Sequence, residues 1–148
     1  MNVLSLFDGM SCGQLALQRI GAKVNNYFAS EIDKYAIEIA RKNFPNTIHL
    51  GDVRDILKFW RQNKFPKIDL LLSGSPCQGF SFAGKQLNFE HPQSKLFFEF
   101  IKVMNELKPK YVLLENVRMK KEYQDIMSDH MGFEPQALDS KWVSGQNR

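Results

Sequence analysis

The stretch that decides the fold is residues 69–81, DLLLSGSPCQGFS. Residues 70–72 form an unbroken apolar run, which is typical of a strand covered on both faces in a parallel sheet. The Gly, Ser and Pro residues behind it end the strand and lead into a loop that presents Cys77. Open α/β sheets bind ligands at the carboxyl ends of their strands, so Cys77 lies where a nucleophile would act. A buried structural thiol is the alternative, and this stretch alone leaves it open.

The composition is that of one ordinary domain. The 148 residues are 43% hydrophobic and 24% charged, which is enough for a single core. Cys12 and Cys77 lie far apart and form no C-x-x-C pair, so a reducing, cytoplasmic setting fits better than a disulfide framework or a zinc site. We expect neither a signal peptide nor a membrane span. The net charge of +4 mildly favours a polyanionic partner, although solvated helix faces explain it equally well.

Strand-like and helix-like segments alternate along the chain. Strands are predicted at residues 3–7, 26–30, 47–50, 70–72, 111–114 and 133–138. Helices are predicted at residues 14–20, 34–43, 54–62, 96–107 and 120–130, the second of them capped by Asp33. No repeat, low-complexity tract or linker interrupts this order. The alternation predicts one α/β domain with a doubly wound, mostly parallel sheet, in which residues 111–114 are a buried strand.

Acidic residues follow several of these strands. Asp8 opens a glycine-bearing turn, and Glu31, Asp52 and Glu115 follow the second, third and fifth strands. Glu31 lies about 20 residues beyond the glycine turn and suits a ribose diol, because a carboxylate can accept from both hydroxyls. Asp52 can accept from an exocyclic amine such as that of adenine. Glu31 could equally be a helix-start acid, Asp52 an N-cap, and Glu115 a paired structural acid rather than a tuned general acid.

Together with Cys77, these four acids fall at strand carboxyl ends, which lie along one edge of a doubly wound sheet. Asp8, Glu31 and Asp52 would make a nucleoside-shaped site. Cys77 and Glu115 supply a thiol and a carboxylic acid. This is the pair needed to add a nucleophile to an electron-poor ring and to neutralise the ring nitrogen.

At these residues the sequence resembles the DNA (cytosine-5)-methyltransferase family, along the whole chain. The resemblance is carried by FDG at 7–9 with Gly13, Glu31, GDV at 51–53, SPCQGFS at 75–81, LFFE at 96–99 and ENV at 115–117. The PCQ and ENV segments in this order are highly specific, and they favour Cys77 as nucleophile over a structural thiol. The resemblance implies a class I S-adenosylmethionine-dependent methyltransferase fold, which is Rossmann-like.

The resemblance also implies a role for each matched residue. S-adenosylmethionine would be held by Phe7, Asp8, Gly9, Gly13, Glu31, Ile32, Asp52, Val53, Gly74, Pro76 and Leu96. A cytosine flipped out of double-stranded DNA would be attacked at C6 by Cys77 while Glu115 binds its N3 and amino side, and C5 would take the methyl group. Substrate contacts would come from Ser75, Gln78, Ser81, Asn116 and Arg148. No metal is implied.

The sequence departs from the family at two places. Residues 10–12, MSC, occupy positions where most bacterial members have Gly or Ala. Residues 144–148, SGQNR, resemble the start of the family's Gln-x-Arg-x-Arg motif, and the second arginine, the final strand and the target-recognition domain are not in this sequence. We therefore expect residues 1–148 to be a partial catalytic domain, truncated before the last strand, of low stability, with weak cofactor binding and no turnover. Its unpaired sheet edge would pair with a complementary C-terminal half or with a second copy.

Three other functions stay open. An RNA cytosine-5 methyltransferase would share the fold and the chemistry. A non-catalytic S-adenosylmethionine-binding or regulatory module would share only the fold, and the intact Cys77 and Glu115 argue against it. A cysteine hydrolase would pair Cys77 with His91 or His49, although neither histidine lies at a predicted strand end. A bacterial or phage-encoded protein of the cytoplasm or nucleoid is expected.

Overall fold

The computed structural model describes residues 1–76 and 95–144. The strands are β1 (Asn2–Leu6), β2 (Asn26–Ser30), β3 (Ile48–Gly51), β4 (Leu70–Gly74) and β5 (Tyr111–Glu115). The helices are α1 (Cys12–Arg19), α2 (Lys34–Asn43), α3 (Ile56–Gln62, preceded by a 3₁₀ turn at Val53–Asp55), α4 (Lys95–Leu107), α5 (Lys121–Met131) and α6 (Lys141–Ser144). The sheet order is β3-β2-β1-β4-β5, and every neighbouring pair is parallel. The predicted parallel α/β sheet is confirmed.

The strands β1, β2 and β4 are covered on both faces because they alternate side chains between two core clusters. Leu4 pairs in register with Phe28 and Leu71, and these side chains pack in the larger cluster. That cluster also takes the apolar faces of α3, α4 and α5. The smaller cluster, on the opposite face, joins Val3, Tyr27 and Ala29 to Leu17 of α1. Helices on both faces make the sheet doubly wound.

The last predicted strand is wrong. Residues 133–138 form no strand, and Phe133 and Leu138 are 56% and 76% exposed. Pro135 lies in the middle of this segment and has no N–H group to donate to a strand ladder. The segment contains apolar residues, but Pro135 interrupts it and favours an irregular backbone over a strand.

The strand β5 is only half-buried, which corrects the expectation of a buried strand. Val112 and Leu114 pack against the larger core cluster, whereas Tyr111 and Leu113 are 55% and 60% exposed. The strand lies at the edge of the sheet, and no helix among residues 1–76 and 95–144 covers its second face. Within the same ranges, no helix has the length and apolar character needed to cross a membrane.

The cap of α2 is the predicted one. The Asp33 carboxylate accepts hydrogen bonds from the backbone N–H groups of Tyr35 at 2.8 Å and Ala36 at 3.0 Å. These amides have no partner inside the helix. We expect Asp33→Ala to lower the free energy of unfolding by about 1 kcal/mol in urea denaturation. Asp33→Asn retains an acceptor and should lose less, and equal stability of the alanine variant and the wild type would contradict the cap's contribution.

Candidate active site

A cleft of about 480 Å³ lies at the carboxyl edge of the parallel sheet. Among the residues expected to hold a cofactor, the cleft is lined by Phe7, Glu31, Ile32, Asp52, Val53, Gly74, Pro76 and Leu96. Asp8, Gly9 and Gly13 are not among its lining residues, whereas Ser30 and Arg54, which the sequence analysis did not single out, are. The cleft therefore collects residues from the ends of β1, β2, β3 and β4, and its volume is typical of a small-molecule site.

Glu31 joins the turn after β1 to the turn after β2. Its Oε1 accepts from the backbone N–H groups of Ile32 at 2.8 Å and Asp33 at 2.9 Å. Its Oε2 accepts from the N–H of Gly9 at 2.8 Å. A carboxylate offers about four lone-pair sites, so Oε2 keeps one for a ligand hydroxyl. The helix cap is Asp33, so Glu31 precedes the helix rather than starting it.

Asp52 is paired with Arg54, a residue that sequence reasoning missed. Its Oδ1 accepts from the backbone N–H and the Nε of Arg54, both at 2.9 Å, and Oδ2 accepts from Nε at 3.1 Å and from Nη2. The hydrogen bonds from the Arg54 side chain hold the pKa of the Asp52 carboxyl below its usual value. Asp52 is thus an N-cap, and a ligand amine reaches its oxygens only by displacing a contact from Arg54. The Arg54 side chain is 67% exposed and can turn outward.

The turn after β1 packs behind the cleft. The Asp8 carboxylate accepts from the hydroxyl of Tyr27 at 2.8 Å and from that of Ser11. At Gly13 an added Cβ would lie 2.8 Å from Leu72 Cδ1 and 3.3 Å from the Tyr27 hydroxyl. The glycine therefore allows α1 to approach the sheet closely.

The proposed nucleophile lies outside the described residues. That nucleophile is Cys77. The described residues also leave out four other predicted site residues, Gln78, Ser81, His91 and Arg148. Cys77 follows two residues after the buried Ser75, whose Oγ accepts from the Asn116 side-chain amide at 3.1 Å. Gly74 pairs with Glu115 in the sheet register, and the Glu115 Oε2 lies 3.7 Å from the position of a Cβ built on Gly74. The ends of β4 and β5 are thus joined beside the cleft.

Residues 1–76 and 95–144 contain no group of three or more His, Cys, Asp or Glu that could hold a metal.

His49 lies within β3, opposite Ala29 of β2, and both of its ring nitrogens are buried without a hydrogen-bond partner among the described residues. These buried nitrogens make it a poor candidate for the base of a cysteine hydrolase. Burial lowers the pKa of His49, with the charge of Arg41 acting in the same direction and that of Asp8 opposing it.

The lowered pKa of His49 predicts acid sensitivity of the fold. Below about pH 6.5 the unfolded chain binds a proton at this residue that the folded chain resists, so its stabilising contribution is complete above that pH and is lost as the pH falls. We expect the urea midpoint to decrease from about pH 7.5 to about pH 5.5, and to decrease less in His49→Gln. His130→Gln, at an exposed histidine, is the control. An identical pH profile for His49→Gln and wild type would contradict this account.

Comparison with known sequences gives one family. The C-5 cytosine-specific DNA methylase family matches residues 1–126. The chain is 42% identical over 120 residues to the orphan methyltransferase M.Rho11sI of Bacillus phage rho11s, in a match that covers 80% of this chain and 23% of that protein. It is 36% identical over 118 residues to the type II methyltransferase M.HhaI of Haemophilus parahaemolyticus, with 80% of this chain and 34% of that protein covered. The chain spans about a quarter to a third of the length of these relatives.

Solved structures with this fold include a DNMT2 mutant of Spodoptera frugiperda and Dnmt2 of S. pombe. The first has a TM-score of 0.63 at 24% identity and covers 88% of this chain and 40% of that one. The second has a TM-score of 0.61 at 23% identity and covers 89% and 40%. The likeness at this identity concerns the fold, and it confirms the expected Rossmann-like methyltransferase architecture.

Proposed function

Since this chain belongs to the C-5 cytosine-specific DNA methylase family, we propose that it binds S-adenosylmethionine and supplies the nucleophile of a DNA (cytosine-5)-methyltransferase. The observation that carries the proposal is the cleft at the sheet edge. There an aromatic residue after β1, an acid after β2 and an acid after β3 meet Pro76, the residue directly before Cys77. The activity of a whole protein of the relatives' length is part of the same proposal.

The residues of the cleft fit this cofactor. A volume of about 480 Å³ falls within the range of pockets that hold small molecules. Phe7, Val53 and Leu96 provide apolar surface for a purine ring. Glu31 has one lone-pair site left for a ribose hydroxyl, and Asp52 offers carboxylate oxygens to the adenine amine once Arg54 turns outward.

The cofactor supplies an electrophilic methyl group on a sulfonium. In the proposed reaction the Cys77 thiolate forms a bond to C6 of the flipped cytosine, while Glu115 binds its N3 and amino side. The new bond at C6 and the contact at N3 shift electron density to C5, which takes the methyl group as its bond to the sulfonium breaks and a neutral thioether is left. Loss of the C5 proton and of the Cys77 thiolate then restores the aromatic ring.

The hydrogen bond between Asn116 and Ser75 supports this pairing of thiol and acid. It ties the residue that follows Glu115 to the buried Ser75, two residues before Cys77. We propose that Ser75 and Asn116 serve the substrate site by holding the ends of β4 and β5 together. The contacts with the base and its neighbours would come from Gln78, Ser81 and Arg148.

The exposed face of β5 affects what we expect of the 148-residue chain without a partner, in cofactor binding and in turnover. Tyr111 and Leu113 leave apolar surface uncovered at the sheet edge. We propose that the 148-residue chain alone binds its cofactor weakly and turns over no DNA, and that a complementary chain or a second copy covers this edge. The bacterial and phage relatives favour action in the cytoplasm, on nucleoid or phage DNA.

The proposed function is tested by methyl transfer from radiolabelled S-adenosylmethionine in a version extended to the length of the relatives. Double-stranded DNA and structured RNA are supplied in separate reactions, and the product base is identified by mass spectrometry. We expect 5-methylcytosine in DNA. Label in RNA alone would make the protein an RNA methyltransferase. Cofactor binding without transfer to either substrate would make it a binding module.

A further inference from the structure

The turn after β1 has an unfavourable backbone. Phe7, Gly9 and Ser11 all have φ in the left-handed region, at 56°, 57° and 63°. Glycine adopts this conformation without cost, but a bulky aromatic residue and a serine do not. A turn of this kind persists only where its surroundings hold it in place.

Asp8 makes most of the contacts that hold this turn. Its N–H donates to the Ser30 carbonyl at 3.1 Å, and its own carbonyl accepts from the Ser11 N–H at 3.1 Å. Its carboxylate accepts from the hydroxyls of Tyr27 and Ser11. Tyr27 and Ser11 are 3% and 0% exposed, so both hydroxyls are held within the protein. Burial and the Asp8 charge raise the pKa of the Tyr27 phenol, which therefore remains a donor.

We propose that Tyr27 is a positioning residue for the cofactor cleft, and that Asp8 serves as an internal hydrogen-bond acceptor rather than as a cofactor ligand. Tyr27 fixes the Asp8 carboxylate, and Asp8 fixes the strained turn. The turn then places two groups at the cleft: the Phe7 side chain, and the Gly9 N–H that holds Glu31 Oε2 at 2.8 Å. The inference deepens the proposed function and rests on its cofactor site.

The two possible roles of Asp8 respond differently to removal of its charge. A carboxylate that contacts a cationic ligand loses its attraction when it becomes an amide. A carboxylate that only accepts from two hydroxyls can be replaced by asparagine, whose Oδ1 accepts from Tyr27 and whose Nδ2 donates to the Ser11 hydroxyl. Asp8→Asn therefore separates the two roles, whereas Asp8→Ala removes both.

The test is calorimetric titration of S-adenosylmethionine into this chain and its variants, with the unfolding free energy of each measured in urea. We expect Tyr27→Phe to weaken binding by about 5- to 10-fold, the effect of roughly one hydrogen bond. Asp8→Ala should weaken binding at least as much, and Asp8→Asn should stay within about 2-fold of wild type. Met127→Leu, at a buried methionine of the larger core cluster, controls for stability and should leave affinity unchanged.

Wild-type affinity in Tyr27→Phe, or equal losses in Asp8→Asn and Asp8→Ala, would overturn the inference while leaving the cofactor site standing. If Tyr27→Phe does not fold, Ser11→Ala serves instead. It removes the other hydroxyl that donates to the Asp8 carboxylate, and it should weaken binding similarly. Unchanged affinity in that variant would also overturn the inference. Absence of binding by the wild type at millimolar ligand would overturn the proposed cofactor site and this inference with it.

Discussion

Replacing Cys77 with serine is expected to lower the rate of methyl transfer by a factor on the order of 10³ or more, in a version of the protein extended to the length of the relatives. A serine hydroxyl holds its proton far more tightly than a thiol does, so little nucleophile is available to attack C6. Affinity for S-adenosylmethionine should change little, because the side chain at this position attacks the base. Radiolabelled methyl transfer and equilibrium binding measure the two quantities.

Cys12→Ser is the matched control for this experiment. Cys12 is the other cysteine of the chain, it is exposed at the start of α1, and it should be replaceable with little loss of activity. Transfer by Cys77→Ser at near-native rate would remove the covalent mechanism. Loss of transfer in both variants would point to a general sensitivity of the protein to cysteine replacement.

Glu31→Ala is expected to weaken binding of S-adenosylhomocysteine by about 1.5 to 3 kcal/mol, the usual cost of losing hydrogen bonds to a charged group. The variant loses the free acceptor site on Oε2. It also loses the carboxylate that holds the Gly9 amide, so the turn after β1 becomes looser. Calorimetric titration gives the difference in affinity.

Glu38→Ala provides the comparison for Glu31→Ala. Glu38 is an exposed acid on α2 whose carboxylate pairs with Lys42, and its removal changes the net charge by the same amount. It should not alter cofactor affinity. If Glu31→Ala binds as tightly as wild type, Glu31 is not a ligand, and its hydrogen bond to the Gly9 amide is not needed for binding.

Most of the fold could be predicted because its signals are local. Short apolar runs and glycine or proline punctuation place five strands to within two residues of the observed ends. The failure at residues 133–138 has a local cause that the apolar pattern hid, because Pro135 lacks the N–H of a ladder position, and a non-local one, because a strand also needs a neighbour to pair with. The exposed face of β5 has a similar cause, because burial depends on what packs against a strand and not on its own apolar residues.

The sequence predicts those parts of the candidate site that depend only on the topology of the sheet. Parallel strands bring their carboxyl ends to one edge, so Glu31, Asp52 and Gly74 reach the same cleft however their side chains turn. The direction of the Asp8 carboxylate was not predictable, because it depends on Tyr27 approaching from the neighbouring strand. The pairing of Arg54 with Asp52 has only a weak signal in the sequence, which is a basic residue two positions after a capping acid.

The central claim, that the cleft at the sheet edge is the cofactor site, is tested most directly by NMR titration of this chain with S-adenosylhomocysteine. The account predicts that the backbone amide signals of Gly9, Glu31 and Val53 shift together as ligand is added. Those of Tyr111 and Leu113, on the exposed face of β5, should remain in place. Shifts confined to β5, or no shifts at millimolar ligand, would contradict the account.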